Sequence, residues 1–206
     1  MIDTAFLITA FATLFVIMDP PGLTPIFVAL TQGMENARRR AIALRACICA
    51  AVILILFAAF GEKLLGVIGI SMHAFRISGG ILLFLTALDM LFERRSQRRK
   101  TRADEDDHDD PSIFPLAIPL LAGPGAIASV ILLAGQQPGW VGYGIVIGCT
   151  LVVLVLVFLC FLTAGFIERI LGKTGLIVVT RLFGMLLAAL SVQFVLDGLK
   201  GFGFVG

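Results

Sequence analysis

Charge is what this chain of 206 residues has least of. Only 15% of its residues are Asp, Glu, Lys or Arg, against about 25% in an average soluble domain. Thirteen of the 30 charged residues lie in the segment 93–110, which leaves long runs with almost no charge elsewhere. This pattern excludes a soluble globular domain and a disordered chain, and a net charge of +2 gives no electrostatic footprint for a nucleic acid. The sequence is that of an integral membrane protein, and its first partner is the lipid bilayer.

Enzyme and cofactor motifs are lacking as well. The sequence has no G-x-x-x-x-G-K-[ST] phosphate loop, no G-x-S-x-G nucleophile and no H-E-x-x-H zinc pair. Its four cysteines form no C-x-x-C pair, which argues against a thiol–disulfide carrier. We therefore expect a protein that is not an enzyme, with no catalytic residue, no metal site and no cofactor.

Six apolar segments are long enough to cross a bilayer, which takes about 20 helical residues. They cover residues 5–31, 41–61, 71–92, 113–135, 142–167 and 175–196. The sequence predicts an all-α, polytopic membrane protein with six transmembrane helices. The charged segment divides it into a first three-helix repeat (1–92), a linker (93–112) and a second three-helix repeat (113–206).

Basic residues are distributed unequally between the two sides of the membrane. Thirteen of them follow the first, third and fifth spans, and three lie on the other side. Because cytoplasmic loops are enriched in Lys and Arg, we expect the linker to be cytoplasmic and both termini to lie outside. In a Gram-negative bacterium this topology describes a multi-pass protein of the inner (plasma) membrane with periplasmic termini.

The two halves of the chain resemble each other. Pro20-Pro21-Gly22 recurs as Gly123-Pro124-Gly125 at an offset of 103 residues, and Arg76-Ile77 recurs as Arg181-Leu182 at an offset of 105. Each half holds three spans, so the second half enters the membrane inverted relative to the first. Inverted repeats are typical of secondary transporters. Gly79, Gly80 and Gly184 are assigned to close helix packing, and Arg76 to snorkelling or to anchoring one helix on another.

Proline is concentrated in the first and fourth spans, which are equivalent in the two halves. Six of the eight prolines lie there, and a proline inside a helix removes a donor and clashes with the carbonyl four residues back. We predict that both helices break near the midplane, at 19–22 and at 119–125. Each break would begin a half-helix whose unpaired N–H groups attract an anion. Where the two starts meet, freed carbonyls would receive an ammonium group, so the expected ligand is an amino acid.

Asp19, the one charged residue of the first span, has two interpretations. It can cap the half-helix that begins at Pro20. As a carboxylate in the bilayer, which costs about 2.5–3.5 kcal/mol on insertion scales, it can also bind a substrate ammonium, Na⁺ or H⁺. Its counterpart in the second half is Ala122, so this role belongs to one half only. The candidate substrate site comprises Asp19, Pro20, Pro21, Gly22, Thr24, Ala122, Gly123, Pro124, Gly125 and Ser129.

Three motifs resemble those of the MarC family. The stretch from Asp19 to Phe27 is similar to its D-P-x-G-x-x-P-x-F signature, Pro115 to Ala126 to its second-half motif around G-P-G, and Arg76 to Phe84 to its R-I-x-G-G motif. The resemblance covers nearly the whole chain. It implies a six-span inner-membrane protein related to the archaeal SnatA-type transporters of small neutral amino acids such as glycine and alanine.

The sequence favours a secondary transporter of small neutral amino acids that uses H⁺ or Na⁺ as its coupling ion. Two alternatives stay open: an exporter of small metabolites or drugs on the same fold, and a membrane scaffold that transports nothing. The expected partners are the bilayer and a small amino acid, with no nucleic acid. The direction of transport, the coupling ion and the presence of an oligomer are not fixed by the sequence.

Overall fold

The computed structural model describes residues 4–92, 111–137 and 139–203. These ranges contain helices and no strand, which confirms the all-α prediction. The helices are α1 (Thr4–Met18), α2 (Pro20–Leu30), α3 (Asn36–Ile68), α4 (Met72–Leu91), α5 (Ser112–Leu121), α6 (Pro124–Gln136), α7 (Trp140–Leu162) and α8 (Ala164–Gly201). The predicted linker lies outside the described residues, apart from its last two.

The helices account for the six predicted spans. Five stretches are long and apolar enough to cross a membrane: Thr4–Leu30, Asn36–Ile68, Met72–Leu91, Trp140–Leu162 and Ile177–Gly201. Helices α5 and α6 form a sixth when they are taken as one span, bent by 53° at its break. In both halves the order is a broken helix followed by two long ones, whereas the inverted relation of the halves stays a prediction.

Prolines explain the irregular shape of α5. Phe114 and Ile118 each precede a proline, and their backbone angles are extended (φ −124°, ψ 126° and φ −122°, ψ 122°), as expected for a residue in that position. The N–H group of Ala122 donates to the carbonyl of Ala117, five residues back, at 2.8 Å. The first part of the fourth span is therefore a wide, irregular coil, and a regular helix begins only at Pro124.

Helices α4 and α8 pack closely and run antiparallel. A Cβ atom added to Gly80 would lie 2.8 Å from the carbonyl oxygen of Ser191, and one added to Gly198 would lie 2.6 Å from a side-chain atom of Ile77. Gly184 faces α4 in the same way. Glycine lets the two backbones approach, so the packing role predicted for Gly80 and Gly184 is confirmed.

Helix α6 is antiparallel to α4. Gly135, near the end of α6, lies against Met72 at the start of α4, whereas Gly125, at the start of α6, lies near Thr86. The Nη2 atom of Arg76 donates to the carbonyl of Gly135 at 3.5 Å. Arg76 thus joins α4 to α6, one of the two roles predicted for it.

Helix α6 is also antiparallel to α1. The ring of Phe15 meets that of Phe183 edge-on, with centroids 5.5 Å apart, and Asp19, just after α1, meets Thr180, so α8 is antiparallel to α1. Because α8 and α6 are both antiparallel to α4, α6 and α1 run in opposite directions. The start of α6 lies at the end of α1, where Gly125 packs against Ile17.

Candidate functional site

Asp19 interrupts the first span between α1 and α2. It is residue 16 of the 27 in Thr4–Leu30, and its backbone lies in the left-handed region (φ 50°, ψ 63°). Its side chain is 1% exposed, and its Oδ1 atom accepts a hydrogen bond from the N–H group of Gly22 at 3.1 Å. A Cβ atom on Gly22 would collide with this carboxylate. Asp19 is therefore the cap of α2, the first of its two interpretations.

The start of α2 offers no free N–H group. Pro20 and Pro21 have none, that of Gly22 is bound to the Asp19 side chain, and that of Leu23 donates to the Asp19 carbonyl at 3.0 Å. The prediction of unpaired N–H groups at this start is wrong, because two prolines remove donors from the first turn and the cap uses the next one. What this break presents is a carboxylate.

The second carboxylate oxygen of Asp19 reaches α8. The hydroxyl of Thr180, a residue that is 9% exposed, donates to Oδ2 at 3.3 Å. Within the described residues, no Lys, Arg or His forms an ion pair with Asp19. A buried carboxylate without a cationic partner is costly, so its surroundings favour the arrival of a positively charged group. Thr180 was not among the candidate residues, because no sequence spacing relates it to Asp19.

The second break has the opposite character. Gly123 (φ −80°, ψ 168°) precedes α6, and no side chain caps this helix. In the described part of the chain, the N–H groups of Gly125 and Ala126 have no hydrogen-bond acceptor. The start of a helix carries partial positive charge, so this break matches the predicted place for an anionic group.

Two buried hydroxyls lie one helical turn from this start. Ser129 follows Gly125 by four residues, and Thr13 precedes Ile17 by four. Both are 0% exposed, and neither hydroxyl has a hydrogen-bond partner among the described residues. Since α1 and α6 are antiparallel, the contact of Gly125 with Ile17 brings the two hydroxyls to one level. Side chains on a helix lean toward its N-terminus, so the Ser129 hydroxyl points toward the free N–H groups.

Ile17 connects the two breaks. Its Cδ1 atom would lie 2.7 Å from a Cβ atom on Gly125, and it precedes Asp19 by two residues. The carboxylate of one break and the uncapped helix start of the other therefore lie at the same level of the bundle. Groups of opposite polarity thus lie at one level of the bundle.

The remaining predicted residues have supporting positions. The hydroxyl of Thr24 donates to the carbonyl of Pro20 at 3.0 Å, so it is satisfied within its own helix. Ala122 is buried and Pro124 is exposed. A Cβ atom on Gly123 would collide with the carbonyl oxygen of Pro119, which explains the glycine at the second break.

A cluster of aromatic and basic side chains ties down the far end of α2. The rings of Phe27 and Phe161 are stacked, with centroids 4.4 Å apart and planes inclined by 7°. The guanidinium carbon of Arg39 lies 5.7 Å from the Phe27 ring centre, and its Nε donates to the Thr31 hydroxyl at 3.1 Å. These contacts join α2 to α3 and α7. From the sequence, Arg39 is only one of the basic residues that indicate the membrane topology, because its partners lie on other helices.

An open groove of about 660 Å³ lies elsewhere, between α1 and α7. Its lining is almost wholly apolar, from Leu7 and Phe11 to Val152, and Trp140 at one end is 93% exposed. The groove provides no partner for a charged ligand, and its chemistry suits lipid acyl chains. The groove therefore differs in chemistry from the two breaks.

Comparisons with known proteins place the chain in a family. Residues 4–202 match the sequence model of the MarC family integral membrane proteins. A UPF0056 membrane protein of Archaeoglobus fulgidus is 40% identical over 197 residues, covering 95% of this chain and 92% of its own length. The UPF0056 membrane protein YvbG of Bacillus subtilis is 38% identical over 201 residues, with 96% and 95% covered.

A third relative, a UPF0056 membrane protein of Methanocaldococcus jannaschii, is 36% identical over 203 residues, covering 97% of this chain and 98% of its own length. No solved structure matches the chain at a significant level. The family match includes both breaks and all the helices that carry them. This chain belongs to the MarC family of integral membrane proteins.

Proposed function

We propose that this protein is a secondary transporter of small neutral amino acids such as glycine and alanine. The observation that carries the proposal is the opposite polarity of two neighbouring breaks. Asp19 offers a buried carboxylate to an ammonium group, and the start of α6 offers the N–H groups of Gly125 and Ala126 to a carboxylate. A free amino acid carries both of these charges on groups attached to one carbon atom.

The small residues around the start of α6 favour a small ligand. Gly125, Ala126 and Ser129 carry at most a hydroxymethyl group, and Ile17 and Thr86 close in on Gly125 from α1 and α4. The hydroxyl of Ser129 adds one more hydrogen-bonding group for a ligand carboxylate. A side chain the size of leucine would have to displace packed neighbours, which costs about 1–3 kcal/mol or more.

Asp19 also supports coupling to a cation. A carboxylate that lacks a cationic partner among the described residues can be neutralised by H⁺ or by Na⁺ as well as by the ligand. A membrane potential of 100 mV supplies about 2.3 kcal/mol for each positive charge that moves inward. One co-transported cation would then sustain roughly 50-fold accumulation of a neutral amino acid, since about 1.4 kcal/mol corresponds to a factor of ten.

The proposed membrane is the inner (plasma) membrane, with both termini outside. Single cysteines introduced at positions 2 and 139 should react with an impermeant thiol reagent added to intact cells. Cysteines at 97 and 172 should react only after the membrane has been permeabilised. The reverse pattern would contradict the orientation and leave the site intact.

Uptake into proteoliposomes tests the function directly. Labelled glycine and alanine are supplied under an imposed H⁺ gradient, an imposed Na⁺ gradient or neither, with leucine as the size control. We expect glycine and alanine to accumulate and leucine to be excluded. Efflux of other small molecules without uptake of amino acids would favour an exporter, and the lack of both flux and ligand-induced thermal stabilisation would favour a scaffold.

A further inference from the structure

Threonine hydroxyls in this bundle have a usual partner, the carbonyl four residues earlier in the chain. Six described threonines donate to it, at distances of 2.7–3.0 Å: Thr9, Thr24, Thr31, Thr86, Thr150 and Thr163. This bond satisfies a hydroxyl within an apolar helix and needs no other element. A buried threonine that bonds to another element instead has been given that partner by the tertiary structure.

Thr180 is such a departure. Its hydroxyl donates to Oδ2 of Asp19, on another element, at 3.3 Å. A rotation of the side chain would exchange this partner for the usual kind of acceptor within its own helix, so the hydroxyl has two alternative positions. The bond to Asp19 is favoured as long as the carboxylate is negatively charged, because hydrogen bonds to ionised groups are about twice as strong as neutral ones.

We propose that Thr180 is a positioning residue that couples the binding of a cationic group at the first break to the attachment of α8. In the empty protein it binds the Asp19 carboxylate and joins α2 to α8. When a cationic group of the ligand pairs with that carboxylate, the hydroxyl turns back to its own helix, and α8 is released from α2. The inference rests on the proposed function to the extent that a positively charged group enters the first break.

The sequence repeat makes this contact one-sided. With the offsets of 103 and 105 residues, the counterparts of Asp19 and Thr180 are Ala122 and Phe75. Neither can form a hydrogen bond through its side chain. The second break therefore has no equivalent of this bond. Only binding at the first break acts on α8 through such a contact.

Two substitutions separate a positioning role from a structural one. Thr180→Val keeps the shape and removes the hydroxyl, and Thr180→Ser keeps the hydroxyl. If the bond competes with the ligand for Asp19, Thr180→Val should lower the Kd for glycine severalfold, whereas Thr180→Ser should match the wild type. A merely structural hydrogen bond would not tighten binding when it is lost. An unchanged or higher Kd in Thr180→Val, or a serine variant that behaves like valine, overturns the proposal.

A double-mutant cycle in the absence of ligand keeps the test valid if the wild type transports no amino acid. The melting temperature is measured for wild type, Thr180→Val, Asp19→Ala and the double variant. We expect Thr180→Val to destabilise the protein when Asp19 is present and to have almost no effect when it is replaced by alanine. Equal effects in both backgrounds would show that the two residues are not coupled, whatever the outcome of the transport assay.

Discussion

The two breaks share a sequence pattern, because each has a Pro-Gly pair that follows a proline or a glycine. They nevertheless present opposite charges. At the first break the prolines take up the first turn of α2, and Asp19 binds the next N–H group, so the surface that remains is anionic. At the second break Pro124 is followed by Gly125 and Ala126, whose N–H groups are uncapped, so this break carries partial positive charge. The difference depends on where the prolines lie and on one carboxylate.

Removing the charge of the first break should have the largest effect. Asp19→Asn keeps a capping oxygen and tolerates the left-handed backbone, so the melting temperature should stay close to that of the wild type. Uptake at low substrate concentration should fall roughly ten- to hundredfold, the range expected for a hydrogen bond to a charged group. Wild-type uptake in Asp19→Asn would reduce Asp19 to a helix cap.

The matched control is Asp19→Ala, which removes the cap as well as the charge. It should lower both uptake and the melting temperature, because alanine neither accepts from Gly22 nor favours a φ of 50°. The loss of a cap costs about 1 kcal/mol. A melting temperature equal to that of Asp19→Asn would show that the bond to Gly22 contributes little.

The second break can be made to resemble the first by removing an N–H group. Ala126→Pro does this in the first turn of α6, where proline replaces no intrahelical hydrogen bond. We expect the KM for glycine to rise about tenfold, as for a lost hydrogen bond to a carboxylate. Val141→Pro, at an exposed position in the first turn of α7, is the control and should leave KM unchanged.

Removing the Ser129 hydroxyl should have a smaller effect on transport. Ser129→Ala removes a buried group that has no partner in the described part of the chain, so stability should be maintained or slightly raised, while KM should rise about two- to tenfold for one neutral hydrogen bond. Ser191→Ala removes a buried hydroxyl that donates to Ala188 at 2.6 Å. It should change KM little and lower the melting temperature. The same KM for both variants would remove Ser129 from the site.

Thr24 should contribute least of the predicted hydroxyls. Its hydroxyl is bound within α2, and Thr24→Val keeps its shape. We expect KM for glycine to change less than about twofold, the small effect typical of substitutions away from a critical contact. A large rise in KM would mean that Thr24 turns toward the ligand during transport.

The sequence predicts what is local in this fold. Spans follow from apolar runs, and the two breaks follow from prolines, whose missing N–H groups act on residues close in the chain. The capping of α2 was also readable, since Asp19 directly precedes Pro20 and Pro21 and has Gly22 within reach. The irregular coil of α5 extends further than predicted, because Pro115 and Pro119 each force the preceding residue into an extended conformation.

The sequence does not predict contacts between distant helices. Thr180 lies 161 residues from Asp19, and its neighbours in the chain give no sign of a carboxylate nearby. In the sequence Thr13 is one of several polar span residues, and only the packing of Ile17 on Gly125 brings it level with Ser129. Helix packing determines which of these distant side chains meet, and a single sequence does not specify that packing.

The glycine-mediated contact of α4 with α8 has a mechanical consequence. Two backbones that meet without intervening side chains bend less independently than helices separated by flexible groups, so the pair moves as one rigid unit. Helix α4 contacts the start of α6 through Thr86, and helix α8 contacts the start of α2 through Thr180. A tilt of the pair would therefore displace its contacts with both breaks in a single movement.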